Sequence, residues 1–227
     1  MLTVAEVFGP TLQGEGPSVG RRCAFVRLGG CNLDCSWCDT PYTWDWRRFR
    51  PEEELRRIDA GDVTSAVEEM GVDMHVITGG EPLLQARALM PLLEAADERG
   101  WRVEVETNGT VAPPPSLTRL VTAFNVSPKL ANSGIAEAER IRPAALAALR
   151  ATGRAVCKFV VTSPADLDEV AALATAHRLE PVYVMPEGTS AEVVLARMRE
   201  LAGPALAHGF HLTPRLHILL WGDRRGR

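Results

Sequence analysis

No run of about 18 apolar residues occurs in this chain of 227, so no segment is long enough to cross a bilayer as a helix. The amino terminus, Met1-Leu2-Thr3-Val4-Ala5-Glu6, lacks the basic stretch and apolar core of a secretory leader. The expected location is the cytoplasm, with no membrane partner. Positive charge is in deficit as well: 25 Lys and Arg stand against 29 Asp and Glu, a net charge of −4. A nucleic-acid surface needs a basic footprint that this balance does not provide, so direct nucleic-acid binding is not expected and a small molecule is the natural substrate. Internal repeats and low-complexity tracts are absent, and Ala112-Pro113-Pro114-Pro115 reads as a stiff connector within a domain. With 46% hydrophobic and 24% charged residues, the length suits one domain over 1–227 and leaves no room for a second full one.

Cysteine is scarce but concentrated. Of five cysteines, three lie in one C-x3-C-x2-C loop, Cys31-Asn32-Leu33-Asp34-Cys35-Ser36-Trp37-Cys38, with no fourth close by. In a reducing compartment this argues for metal or catalysis before disulfides. The short gaps let a single loop wrap one centre, and soft thiolates favour iron–sulfur clusters, zinc or copper(I) over magnesium or calcium. A cubane cluster ordinarily takes four thiolates, so three leave one iron open to an exchangeable ligand. A structural zinc site would need a fourth ligand, yet Cys23 and Cys157 sit inside apolar runs that read as strands. Structural zinc and a redox thiol loop remain the alternatives.

Short apolar or β-branched runs at 24–28, 74–78, 103–107, 121–126, 156–162 and 182–185 predict six strands, with 210–213 as a further terminal one. Helical patterns at 63–70, 84–99, 143–150, 165–178 and 190–201 fall between them. Strands alternating with helices imply βα units and a parallel sheet. A complete eight-fold barrel takes about 250 residues, so the expected fold class is α/β, an incomplete (β/α) barrel of about six parallel strands.

Chemistry in such folds gathers at the carboxyl ends of strands. Five motifs fall there: Gly29-Gly30, Thr78-Gly79-Gly80-Glu81-Pro82, Glu106-Thr107-Asn108-Gly109, Ser127-Pro128-Lys129 and Met185-Pro186-Glu187-Gly188. Each has a plain reading too. The second is a tight turn opening a helix after Pro82; Asn108 and Ser127-Pro128-Lys129 are a solvated loop and a turn; 185–188 is core edge plus turn. Together, an amide, a hydroxyl and an ammonium at consecutive strand ends can hold a polar ligand. Glycine-rich turning explains much of Phe8-Gly9-Pro10-Thr11-Leu12-Gln13-Gly14-Glu15-Gly16-Pro17, but not the alternation of Gln13 and Glu15 toward one face. The basic, aromatic stretch Trp44-Asp45-Trp46-Arg47-Arg48-Phe49-Arg50 reads as a lid or dimer surface beside the cysteines, with nucleic-acid contact as the other reading.

The three-cysteine loop, following an apolar strand and Gly29-Gly30 and carrying Trp37 before its last cysteine, resembles the radical S-adenosylmethionine (SAM) superfamily. The segment Leu12-Gln13-Gly14-Glu15-Gly16, Arg27, the ending Cys38-Asp39-Thr40 and the stretch Leu216-His217-Ile218-Leu219-Leu220-Trp221-Gly222 narrow the resemblance to the 7-carboxy-7-deazaguanine synthase family, over about residues 6–221. The resemblance implies a lyase that converts 6-carboxy-5,6,7,8-tetrahydropterin to 7-carboxy-7-deazaguanine with loss of ammonia, in queuosine or 7-deazapurine biosynthesis. It implies a [4Fe-4S] cluster on Cys31, Cys35 and Cys38, and SAM at Trp37, Cys38, Asp39, Gly80, Glu81, Asn108, Ser127, Pro128, Lys129, Met185, Pro186, Glu187 and Gly188. It implies a pterin site of Leu12, Gln13, Gly14, Glu15, Arg27, Thr78 and His217, with Mg2+ at Thr40. An amide and a carboxylate suit the donor and acceptor edge of a pterin, and an arginine suits its carboxylate. A lone threonine hydroxyl suffices for Mg2+ only with substrate and water completing the octahedron. His217 reads equally as a surface histidine, and His75, His177, His208 and His211 as structural.

The resemblance further implies an N-terminal substrate-binding segment, a C-terminal extension, a homodimer, and a flavodoxin- or ferredoxin-type reductant. A glycyl-radical enzyme activase shares the cysteine spacing but acts on a protein backbone, and a non-enzymatic metal-binding or electron-carrier protein would not cleave SAM.

Overall fold

A computed structural model describes residues 1–227. One mixed sheet contains β1 (Leu2–Leu12), β2 (Arg22–Leu28), β3 (Arg56–Ile58), β4 (Met74–Gly79), β5 (Arg102–Thr107), β6 (Ala123–Val126), β7 (Ala155–Val161), β8 (Val182–Pro186) and β9 (His211–Leu212), in the order β3-β1-β2-β4-β5-β6-β7-β8-β9. From β2 to β9 every neighbouring pair is parallel; β1 runs antiparallel to both β2 and β3. The sheet does not close, which makes it the expected partial barrel, and its terminal strand β9 is only two residues long.

Period-2 alternation gives the sheet two chemically different faces. Val26, Ile77, Val103, Val105, Phe124, Phe159, Val161 and Val184 pack into a core of 37 buried residues. Helices Ala60–Glu69, Ala86–Glu98, Pro143–Ala151, Asp166–His177 and Ala191–Ala207 contribute Val63, Leu89, Leu93, Leu146, Leu149, Val170 and Leu201 to the same core. Each such leucine, fully buried, contributes about 1.5–3 kcal/mol. The residues between, Arg27, Thr78, Glu106, Asn125 and Lys158, instead line a cavity on the other face. On the same wall Phe8 stacks on Phe25, with ring centroids 5.1 Å apart.

Three departures from the sequence expectations have physical causes. The segment read as a glycine-rich turn begins inside a strand of eleven residues, β1, whose alternation is broken by register shifts between Val4 and Glu6 and between Phe8 and Thr11. The helix expected over 190–201 continues to Ala207 through Gly203 and Pro204, because Leu201 and Ala205 are both buried and packing outweighs propensity. The helix expected over 84–99 starts as a 3-10 turn, Pro82–Gln85, and becomes α-helical at Ala86.

The chain after β1 crosses to the far edge of the open sheet. Gly16 N donates to Thr213 Oγ1 at 2.8 Å, and Leu216 N donates to the Gly14 carbonyl at 2.8 Å. Residues 13–16 thereby bridge the gap that the strands leave open.

Candidate active site

The three cysteines follow β2 in a loop seated on the glycine pair that ends β4. Gly80 N donates to Leu28 O at 3.1 Å and Glu81 N to Gly30 O at 2.8 Å. A β-carbon on Gly80 would overlap the Gly30 carbonyl and come within 2.9 Å of Cys31 Cβ, so glycine is required by close approach. Cys35 is buried with Leu33 and Ile135, and Cys31, Trp37 and Cys38 pack against them. Trp44 Nε1 donates to Cys38 Sγ at 3.3 Å and Leu33 N to Cys31 Sγ at 3.5 Å, contacts that favour a thiolate. Burial pushes the Cys31 thiol up to about 11 and raises Cys35 as well, so a soft cation in place of the proton is what makes thiolates favourable here. All three cysteines line one cavity, while no three His, Cys, Asp or Glu side chains are arranged to hold a single metal ion. A three-thiolate donor set around shared space fits a polynuclear cluster.

Beside this loop the strand ends converge. Asn108 Nδ2 donates to Asn32 Oδ1 at 3.0 Å and lies 4.0 Å from Cys31 Sγ. Trp37 Nε1 donates to Asn132 Oδ1 at 3.1 Å, and Lys129 Nζ sits 5.7 Å from the Trp37 ring centroid while bonding Ser127 Oγ at 2.9 Å. Trp37, Cys38, Asp39, Thr40, Gly80, Asn108, Ser127, Lys129, Met185 and Glu187 reach the cavity wall. Glu81, Pro128, Pro186 and Gly188 are not on that wall. Glu81 is fully buried, accepting from Leu83 N, Thr107 Oγ1 and Asn108 N, and so ties the β4 and β5 loops together. Gly188 offers its carbonyl to Arg215 at 2.6 Å.

A further part of the wall is ionic. Glu15 is ion-paired with Lys158, accepts from Arg215 Nε at 3.3 Å, and lies 3.9 Å from His217 Nε2. Glu106 accepts from Gln13 Nε2 at 3.2 Å and Thr78 Oγ1 at 2.8 Å, with Lys158 Nζ at 3.6 Å. Burial alone would raise the Glu15 carboxyl, but Lys158, Arg215 and His217 hold it well below the usual carboxylate range. Burial would likewise lower Lys158, yet Glu15 and Glu106 push it above its ordinary value. Burial depresses His217 below its ordinary value, against the pull of Glu15. Arg27 Nε and Tyr42 OH both bond Glu6 Oε2, at 2.9 and 2.8 Å. Leu12, Gln13, Gly14, Glu15, Arg27, Thr78 and His217 all line the same cavity of about 230 Å³. His217, on the terminal helix Leu216–Trp221, is partly buried, and its ring abuts Gly14 so closely that a β-carbon there would overlap it.

Residues 223–227 complete the wall, where Arg225 lies 3.5 Å from the Tyr42 ring centroid and pairs with Glu6 at 3.3 Å and Glu54 at 2.6 Å. Lys158, Arg215, Glu106, Glu6 and Tyr42 have no assigned site role from the sequence, although Glu106 heads one of the strand-end motifs. A signal exists for two of them: Lys158 is a lone charge in the apolar strand β7, and Glu106 shares its parity with the buried Glu104 in β5.

A three-cysteine loop capping the carboxyl ends of an open parallel barrel defines a radical SAM enzyme, and residues 25–126 match the family model of the Radical SAM superfamily. Over 228 residues the chain is 37% identical to the 7-carboxy-7-deazaguanine synthase of Pyrobaculum aerophilum, covering 99% of this chain and 96% of that one. It is 39% identical to the 7-carboxy-7-deazaguanine synthase of Halobacterium salinarum, with 98% and 91% covered. The crystal structure of QueE from Escherichia coli superposes with a TM-score of 0.70 at 27% identity, covering 95% and 94% of the two chains. The chain belongs to the 7-carboxy-7-deazaguanine synthase family.

Proposed function

We propose that the protein converts 6-carboxy-5,6,7,8-tetrahydropterin into 7-carboxy-7-deazaguanine with loss of ammonia. One observation carries this reading beyond family membership: a hydrogen-bonding wall of Gln13, Glu15 and Arg27 shares one cavity with Cys31, Cys35 and Cys38. Bound together, the cluster and SAM supply one-electron chemistry that removes a hydrogen atom from the substrate. The chain's own residues hold the reactants. Glu15, kept ionised by Lys158 and Arg215, accepts from the pterin's N–H edge, and Gln13 offers both an amide donor and an acceptor. Leu12, Gly14, Thr78 and His217 shape the pocket around them, and Arg27 takes the substrate carboxylate.

Trp37, Cys38, Asp39, Gly80, Asn108, Ser127, Lys129, Met185 and Glu187 form the SAM side. Glu81, Pro128, Pro186 and Gly188 support it from behind the wall. Thr40 would offer its hydroxyl to Mg2+, and a lone threonine would hold the metal only together with substrate and water, so metal affinity would be low until substrate arrives. The same reading includes a flavodoxin- or ferredoxin-type electron donor. It also includes a homodimer through the face bearing Trp46, which is 42% exposed. An activase acting on a protein backbone needs an open groove, whereas residues 223–227 wall this cavity.

The test is an anaerobic assay of iron-reconstituted, reduced protein with SAM, Mg2+ and the carboxytetrahydropterin, followed by mass spectrometry. Deazapurine formed without stoichiometric consumption of SAM is expected. Release of 5′-deoxyadenosine without deazapurine would keep the enzyme class and overturn the substrate.

A further inference from the structure

Three distant segments meet on one side chain. Arg215, only 6% exposed, donates from Nε to Glu15 Oε1 at 3.3 Å, from Nη1 to the Gly188 carbonyl at 2.6 Å, and from Nη2 to Asp39 Oδ2. Glu15 belongs to the segment that bridges the open barrel, Asp39 to the end of the cysteine loop, and Gly188 to the loop after β8. Residues on either side of Arg215 are fixed to the first of these, through the Thr213 hydroxyl, which accepts from Gly16 N, and the Leu216 N–H, which donates to the Gly14 carbonyl.

The geometry points to Arg215 as a positioning residue that holds the SAM-side carboxylate Asp39 and the pterin-side carboxylate Glu15 in one register. This inference rests on the roles proposed above for those two acids. Hydrogen-atom removal requires the reacting atoms to sit about 3–3.5 Å apart, and a misplacement of about 1 Å can cost roughly a hundredfold in rate. Two ligands bound side by side in one cavity need a common reference to meet that tolerance. A guanidinium suits the task because its five donors diverge in a rigid plane, so three acceptors in different directions are fixed relative to one another. A lysine at this position would carry the charge from one point and could not fix the angle between Glu15 and Asp39. Lys158 provides the contrast: it pairs with Glu15 and Glu106, and no bond links it to Asp39.

The test compares Arg215→Lys with Lys158→Gln in cluster-reconstituted protein, reading the SAM Kd by equilibrium binding and the pterin KM by turnover. Loss of a charge-assisted bond at each acid is expected to raise both constants about tenfold for Arg215→Lys, and only the pterin KM for Lys158→Gln. A SAM Kd within twofold of wild type in folded Arg215→Lys overturns the proposal. Asp39→Asn separates the two levels. If it weakens SAM while Arg215→Lys does not, the coupling through Arg215 fails; if it leaves SAM binding unchanged, the reading of Asp39 fails and takes the proposal with it. Hydrogen exchange on the wild-type protein needs no substitution. Adding SAM is expected to slow exchange in peptides covering 36–40 and also 12–16, and protection confined to 36–40 overturns the shared register.

Discussion

Single side chains in this pocket divide into those that hold a centre and those that hold a charge. Cys35 is the most buried of the three loop cysteines, and its loss leaves two thiolates for a centre that needs three. Cys35→Ala is therefore expected to abolish both iron retention and turnover, measured as iron per chain after anaerobic reconstitution; a full iron complement would exclude the three-thiolate arrangement. Glu15→Gln is nearly isosteric but removes the anion that Lys158 and Arg215 neutralise. Its kcat/KM for the pterin should fall by about a hundredfold, in line with about 2–3 kcal/mol for a charge-assisted bond. Its SAM Kd should stay within about twofold, because Arg215 keeps Gly188 and Asp39. The three cysteines are legible in the sequence because their chemistry is written contiguously. Lys158 is not, since its meaning depends on the parity of β7 and on a partner 143 residues away.

Elements position these residues through close contacts that glycine alone permits. The end of β4 lies under the cysteine loop with no room for a β-carbon at Gly80. Gly80→Ala is expected to lift the loop from β4 and lower iron content after reconstitution by more than half, with the far-UV signal of the barrel unchanged. An unaltered iron content would show that the loop is seated by other contacts. The parallel strands are legible from their β-branched runs, and so is the clustering of motifs at their carboxyl ends. The strand β1 is hidden because two register shifts erase its period. The helix ending at Ala207 is hidden because Gly203 and Pro204 mimic a stop.

Across the whole molecule, pH should act through buried groups of opposite kinds, among them His75 and Glu15. His75 is 3% exposed, has no hydrogen-bond partner on either ring nitrogen, and packs 4.5 Å from Trp101. Burial lowers it from 6.5 to about 4. The unfolded chain takes up this proton first, so stability begins to fall below pH 6.5 and the loss is complete below about pH 4, up to about 3 kcal/mol. Glu15 is held below its ordinary 4.5, so its contribution is present above that pH and is lost at lower pH as the carboxylate is finally protonated. Denaturant titrations at pH 7.5 and 4.5 should show His75→Phe reducing the loss between them, with the depressed His217 accounting for a further share; a wild-type slope in that variant would assign the loss elsewhere. The wider lesson is that the sequence announces the half of the pocket built from local motifs and conceals the half built from long-range ion pairs. That division also has an order in time. Cys31 finds Asn108 within 77 residues, whereas Glu15 must wait 143 residues for Lys158 and 200 for Arg215. Because chains emerge from the ribosome amino end first, the cysteine loop can be seated while Glu15 still lacks both counterions. A nascent chain stalled beyond β5 and short of β7 would thus carry the iron-binding half of the enzyme without the half that recognises what the radical is for.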